Sequence, residues 1–188
     1  MNKKLKRELT EWVIFFGIIG TLYLTGLHTT VFGTLQRGIL ATGLFRPDVE
    51  MEETSQASYN LLLMDADGNE VDLHDWQSET IFINMWATWC PPCIAEMPDI
   101  NRLYAEVGGE VKFAMISLDD DPQKAIDFVK KKEFDFPVYF LRSALPRVYA
   151  SQSIPTTFVI SPEGKIVVKN KGMAQYYNDA FVTFLRGL

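Results

Sequence analysis

Few stretches leave a fold less choice than TIFINMWATWCPPCIAEMPDINRLY, from Thr80 to Tyr104. An apolar, β-rich run from Ile81 to Trp86 stops at Ala87-Thr88, and Trp89, Cys90, two prolines and Cys93 follow. Beyond them Ile94, Met97, Ile100, Leu103 and Tyr104 recur at spacings of three and four, the pattern of one helix face. Proline is accepted in the first turn of a helix, where its missing N–H has no partner to lose. Cys90 is therefore expected at a strand-to-helix junction, with Cys93 one turn inside the helix.

That placement has chemical consequences. Unpaired N–H groups and partial positive charge at a helix N-terminus favour thiolate over thiol. A second cysteine three residues on can attack the mixed disulfide formed by the first. C-x-x-C between a strand and a helix is thus a dithiol redox arrangement. Two plainer readings compete with it: a zinc half-site and a permanent staple. Structural zinc usually takes about four Cys or His ligands. This chain has two cysteines, and its two histidines, His28 and His74, lie far from them in sequence. A staple closing so short a loop removes little chain entropy. No metal and no cofactor is expected.

Length (188 residues) allows one domain plus an appendage, and 47% hydrophobic content supplies a sizeable core. The net charge of −6 is unevenly spread: residues 1–47 hold six Lys/Arg and two Glu, +4, which leaves −10 on residues 48–188. So acidic a region lacks the basic footprint that nucleic-acid binding needs. Lys3, Lys4, Lys6 and Arg7 precede an apolar run from Trp12 to Leu27, and no Asp, Glu, Lys or Arg falls between Glu11 and Arg37. A helix of about 20 such residues spans a bilayer, and the basic start places the N-terminus in the cytoplasm. A cleavable signal peptide would have a shorter apolar run and a small-residue cleavage site; Thr25-Gly26-Leu27-His28 is a weak one. Export follows in either case. Val31 to Phe45 reads as an interfacial helix or an extension of the anchor, and Asp48 to Ser58 as a polar linker. The expected division is 1–30 cytoplasmic start and anchor, 31–58 juxtamembrane segment and linker, and 59–188 globular domain.

Within the globular part, Tyr59–Met64 and Glu70–Leu73 flank a Gly-containing turn and predict a β-hairpin. His74 reads as a surface or capping residue. Val111–Leu118 predicts a strand buried on both faces. Asp119-Asp120-Asp121-Pro122 predicts the capped start of a helix that ends at Lys130–Lys132. Pro137–Leu141 predicts a strand and Leu145–Ala150 a short helix. Pro155 is expected at the first residue of a strand or in the turn before it. A hairpin turn at Ser161–Gly164, a return strand Lys165–Lys169 and a helix over Asn178–Leu188 complete the pattern.

Strand, WCxxC, helix, strand, helix, then Ile-Pro-Thr before a hairpin and a last helix resembles the thioredoxin fold from about Tyr59 to Leu188. With Pro155 62 residues after Cys93 and an exported anchor, the chain most resembles the TlpA/ResA group of membrane-anchored thiol–disulfide oxidoreductases. The resemblance implies an α/β thioredoxin-like fold with an N-terminal β-hairpin extension and a helix–strand insert, preceded by one transmembrane helix. It implies that Cys90 is the attacking cysteine, Cys93 the resolving one, and Pro155 a cis-proline facing their disulfide. The Ile154 backbone would pair with an extended substrate, and Trp89 would pack beside the motif. Asn84 stands where thioredoxins carry a buried aspartate, a departure the TlpA/ResA group shares. Glu96 takes the place of that group's proton-handling glutamate, and i,i+3 spacing puts it on the helix face of Cys93. Pro91 removes an N–H that would face the Cys90 sulfur, so thiolate stabilisation is expected to be weaker than in strongly oxidising relatives.

The leading expectation is a dithiol reductase on the outer face of a bacterial cytoplasmic membrane: single-pass, N-terminus inside, catalytic domain periplasmic or extracytoplasmic. Clients are disulfide-bearing proteins. Apocytochrome c during cytochrome c maturation is one that the resemblance suggests, with a membrane thiol transporter of the DsbD/CcdA kind as electron donor. A dithiol oxidant that installs disulfides is the alternative, because residue types do not set the direction of electron flow. A tethered binding or holdase module with incidental cysteines is the rival from another class. The peroxidase pattern P-x-x-x-T-x-x-C fails, since its proline and threonine positions hold Ile83 and Ala87.

Overall fold

The computed structural model describes residues 3–25 and 55–188. Helix α1 (Lys3–Leu24) carries the basic start. Its uncharged portion, Trp12–Leu24, is about 20 Å long at a rise of about 1.5 Å per residue, against a hydrocarbon core of about 30 Å. Among the described residues no helix is long and apolar enough to cross a membrane. The expected transmembrane helix is therefore not shown. The run's continuation past Thr25 and the segment 31–45 lie outside the described residues.

The rest forms an eight-stranded sheet with three helices. In chain order the elements are β1 (Ser55–Gln56), β2 (Leu62–Asp65), β3 (Glu70–Asp72), β4 (Thr80–Trp86), α2 (Pro91–Val107), β5 (Val111–Ser117), α3 (Pro122–Lys132), β6 (Val138–Leu141), β7 (Thr156–Ile160), β8 (Lys165–Lys171) and α4 (Asp179–Arg186). The strand order is β1-β8-β7-β4-β5-β6-β2-β3. β4 runs parallel to β5 and antiparallel to β7. This is the α/β thioredoxin-like arrangement, with α3–β6 as the insert and the β2–β3 hairpin joined to β6.

Every residue of β4 is buried, because alternate side chains enter two separate cores. Phe82 and Trp86 join Met97, Ile100 and Leu103 of α2, Ala125 of α3 and Phe181 of α4. Ile81, Ile83 and Met85 meet Leu61, Leu63, Leu73, Tyr149 and Phe158 on the other face. A continuous apolar strand is what this two-sided burial requires.

Among the described residues the sheet begins at Ser55, upstream of Tyr59. Ser55 and Gln56 pair with Ile166 and Lys165, and Ser58 exchanges bonds with the Tyr149 hydroxyl, N–H to Oη at 3.2 Å and Oη–H to C=O at 2.9 Å. An exposed edge strand needs only its backbone, so polar Ser55-Gln56 carried no strand pattern. Leu145–Ala150 is not a full short helix: one 3-10 turn covers Arg147–Tyr149. In the acidic run only Asp121 caps α3, accepting from the Gln123 N–H at 3.0 Å. α2 continues through Pro98 to Val107; its buried Met97, Ile100 and Leu103 hold it against the core past the lost hydrogen bond.

Candidate active site

Cys90 is the N-cap of α2, in extended conformation, and Pro91 opens the helix. Its Sγ accepts the Cys93 N–H at 3.3 Å, its N–H donates to Ala87 O at 3.2 Å, and its carbonyl accepts from Ile94 at 3.1 Å. The two cysteines are joined in a disulfide. Cys90 is 4% exposed and Cys93 fully buried, whereas neighbouring Trp89 is 60% exposed. The edge that can meet another molecule is therefore the Trp89–Cys90 side.

Opposite this junction the chain returns through Ile154–Pro155, whose peptide bond is cis. The register Met85↔Thr156 brings that peptide to the end of the sheet where β4 gives way to the Cys90 loop. Its approach is pinned by side chains: Thr156 Oγ1 donates to Ser153 O at 2.7 Å and lies 2.8 Å from Ser151 Oγ. On the far side Gly172 N–H donates to Pro155 O at 2.9 Å.

Behind the disulfide, Glu96 is completely buried. It is no solvated helix glutamate. Asn84 Nδ2 donates to its Oε1 at 2.8 Å and the Ala174 N–H to its Oε2 at 3.1 Å. Burial pushes its carboxyl up to about 8, although both bonds oppose the shift. At neutral pH the group therefore holds a proton inside the protein, on the helix that carries Cys93. Asn84 also donates to Thr157 Oγ1 at 2.9 Å, and its own Oδ1 lacks a partner. Asn170 Nδ2 donates to Tyr176 Oη at 3.2 Å, and burial raises the Tyr176 hydroxyl well above its ordinary value.

Thus Trp89, Cys90, Cys93, Ile154 and Pro155 meet at one end of the sheet, and Glu96 lies in the core beneath. Thr157, Ala174 and Tyr176 were not anticipated. Thr157 directly follows the Ile-Pro-Thr signal, but a backbone N–H at 174 and a distant tyrosine leave no pattern in sequence. Asp119 was read as part of a cap; its carboxylate instead holds Thr88, two residues before Cys90. His74 is a surface residue beside Asp72, which accepts its N–H at 2.9 Å.

The Redoxin family model matches residues 45–176. The chain is 34% identical over 136 residues to the thiol-disulfide oxidoreductase ResA of Bacillus thuringiensis subsp. konkukian, covering 71% of this chain and 78% of that protein. It is 33% identical over 159 residues to a ResA of Bacillus cereus, covering 83% of this chain and 86% of that protein. Among solved structures, a putative thiol:disulfide interchange protein DsbE from Chlorobium tepidum superposes with a TM-score of 0.59 at 24% identity, over 73% of this chain and 95% of that one.

Proposed function

The chain belongs to the Redoxin family and is a thiol–disulfide oxidoreductase, and from that premise we propose that it works as a reductant of client-protein disulfides. The observation that carries this direction is the helix start. Pro91 and Pro92 fill the first-turn positions after Cys90, and the Cys93 N–H reaches the Cys90 sulfur. Prolines supply no N–H, so a Cys90 thiolate is stabilised by fewer donors than at an ordinary helix start. A less stabilised thiolate raises the free energy of the reduced dithiol, which makes the pair more reducing.

In the client half-reaction the Cys90 thiolate attacks one sulfur of a client disulfide held beside Trp89 and the Ile154–Pro155 backbone. A Cys90–client mixed disulfide forms and one client thiolate leaves. Cys93 gives up its proton to the Glu96 carboxylate and attacks Cys90 Sγ, which forms the Cys90–Cys93 disulfide and releases the second client thiolate. Recharging reverses this order: a donor thiolate attacks Cys90, and the departing Cys93 sulfur takes the proton that Glu96 holds. The raised carboxyl supports this role, since the group must be protonated in the oxidised form near neutral pH.

We further assign the protein to the extracytoplasmic face of a bacterial membrane, tethered by its N-terminal segment. Its electron donor is a membrane thiol transporter of the DsbD/CcdA kind, and apocytochrome c is its client class. The basic start followed by the uncharged run to Gln36 supports the tether. Resistance of the full chain to alkaline extraction from membranes tests it, and release would remove it. The direction is tested by equilibrating the Cys90–Cys93 pair against redox buffers. A potential near or below roughly −250 mV supports the reductant, and one near roughly −120 mV marks an oxidant instead.

A further inference from the structure

We propose that Asp119 is a positioning residue for Cys90: its carboxylate clamps Thr88, and through it the loop that delivers the attacking sulfur to the helix start. β4 ends at Trp86 and α2 begins at Pro91, so the placement of Cys90 depends on the short connection between them. Its first point is held by backbone, with the Leu118 N–H donating to Trp86 O at 2.8 Å. Thr88 is then gripped twice, its N–H donating to Asp119 Oδ2 at 3.0 Å and its hydroxyl to Oδ1 at 2.6 Å. Ser117 steadies the carboxylate: its hydroxyl donates to Oδ2 at 2.9 Å and accepts the Asp119 N–H at 3.1 Å.

The clamp is protected. Asp119 is 9% exposed and Ser117 4%, so water competes poorly for the two bonds to Thr88. Ser117 sits opposite Trp86 in the parallel β4–β5 ladder, which makes the grip an extension of the sheet. The next fixed point is the Cys90 N–H on Ala87 O, and the Cys93 N–H then meets the sulfur. A hydrogen bond to sulfur depends on placement, so releasing Thr88 loosens the group that favours the thiolate.

This proposal rests on Cys90 being the attacking cysteine. The test is iodoacetamide alkylation of the reduced full chain across pH, with modified sites assigned by peptide mass spectrometry and Tm recorded for each variant. Asp119→Asn removes the charge but keeps the clamp, since an amide accepts the Thr88 N–H and donates to its hydroxyl oxygen. Asp119→Ala removes both. Comparing Ala with Asn therefore isolates the clamp from the charge. Cys90 in D119A should react about fivefold more slowly at neutral pH than in D119N, the equivalent of one net hydrogen bond, with its midpoint moved to higher pH. Equal rates and midpoints in D119A and D119N would overturn the proposal and leave Asp119 a stability residue, visible in Tm alone. Should D119A not fold, Thr88→Val against Thr88→Ser asks the same of the hydroxyl arm: slower Cys90 alkylation in T88V supports the clamp, and equal rates overturn it. Alkylation of Cys93 in the unsubstituted protein would instead overturn the assignment of Cys90 itself.

Discussion

Replacing Glu96 by glutamine should change the pH dependence of stability in a direction opposite to that of an ordinary salt-bridged carboxylate. In the unfolded chain this carboxyl titrates near its ordinary 4.5; in the fold it titrates at about 8 because burial disfavours the charge. Between those values the folded state holds a proton that the unfolded state has released. Stability therefore falls as pH rises, and it is flat below 4.5 and above about 8. At about 1.4 kcal/mol per pH unit, that interval corresponds to a ceiling on the order of 5 kcal/mol; water entry or local opening around the ion reduces it.

Glutamine fits the site. Its carbonyl can accept the Ala174 N–H; once the Asn84 amide reverses, its amide can donate to Asn84 Oδ1, and the Thr157 hydroxyl becomes a donor to that oxygen instead of an acceptor. Oxidised E96Q should then lack this slope and be the more stable protein at pH 8. The assay is urea unfolding of the oxidised protein and E96Q at half-unit steps from pH 5 to 8.5, read as the difference in ΔG. The difference should change by up to about 1.4 kcal/mol per pH unit in favour of E96Q as pH rises. Two parallel curves would mean that Glu96 titrates alike in both states, which a carboxyl buried in this way cannot do.

Asn84→Ala withdraws the donor to Glu96 Oε1 and Thr157 Oγ1. It should cost about 1–3 kcal/mol in urea melts and move the Glu96 titration further up, followed by carboxyl 13C NMR. Phe82→Ala empties a position packed on Phe113 at 4.9 Å and Tyr176 at 5.3 Å, with an expected loss of about 3–5 kcal/mol in the same melts. Tyr149→Phe removes the hydroxyl that holds Ser58; about 1 kcal/mol of stability should go, and amide exchange at Ala57 and Ser58 should quicken. In insulin reduction Cys90→Ser should abolish activity, while Cys93→Ser should accumulate a mixed disulfide with the substrate, visible on non-reducing gels.

Much of this molecule is legible in its sequence because the relevant signals are local. Ile81–Trp86 reads as an apolar strand, Val111–Leu118 as one buried on both faces, and Cys90 with two prolines as a helix start. Asp119-Asp120-Asp121-Pro122 reads as the capped start of a helix, and a last helix is legible from Asn178. Such features follow from rotamers, missing N–H groups and side-chain period, which act within a few residues. Edge strand β1 escaped notice because an exposed ladder asks nothing of its side chains. The three aspartates were indistinguishable as residues. Asp121 caps its own helix, whereas Asp119 turns back to Thr88, 31 positions away in the chain.

A dithiol at a strand-to-helix junction, the acidic α/β domain that carries it, and the order of its main strands and helices all follow from residues close together in the chain. What surrounds that dithiol is the work of the fold. It put Glu96 wholly out of water and set Ala174, 78 positions later, against its carboxylate. It also brought Thr157 across the sheet to Asn84 and closed Asp119 on the loop before Cys90. A cysteine's neighbours along the chain establish that it can ionise near a helix start, but proton affinity and placement depend on dielectric and hydrogen-bond partners. Those are supplied by residues remote in sequence, which come together only when the sheet pairs and the two cores close.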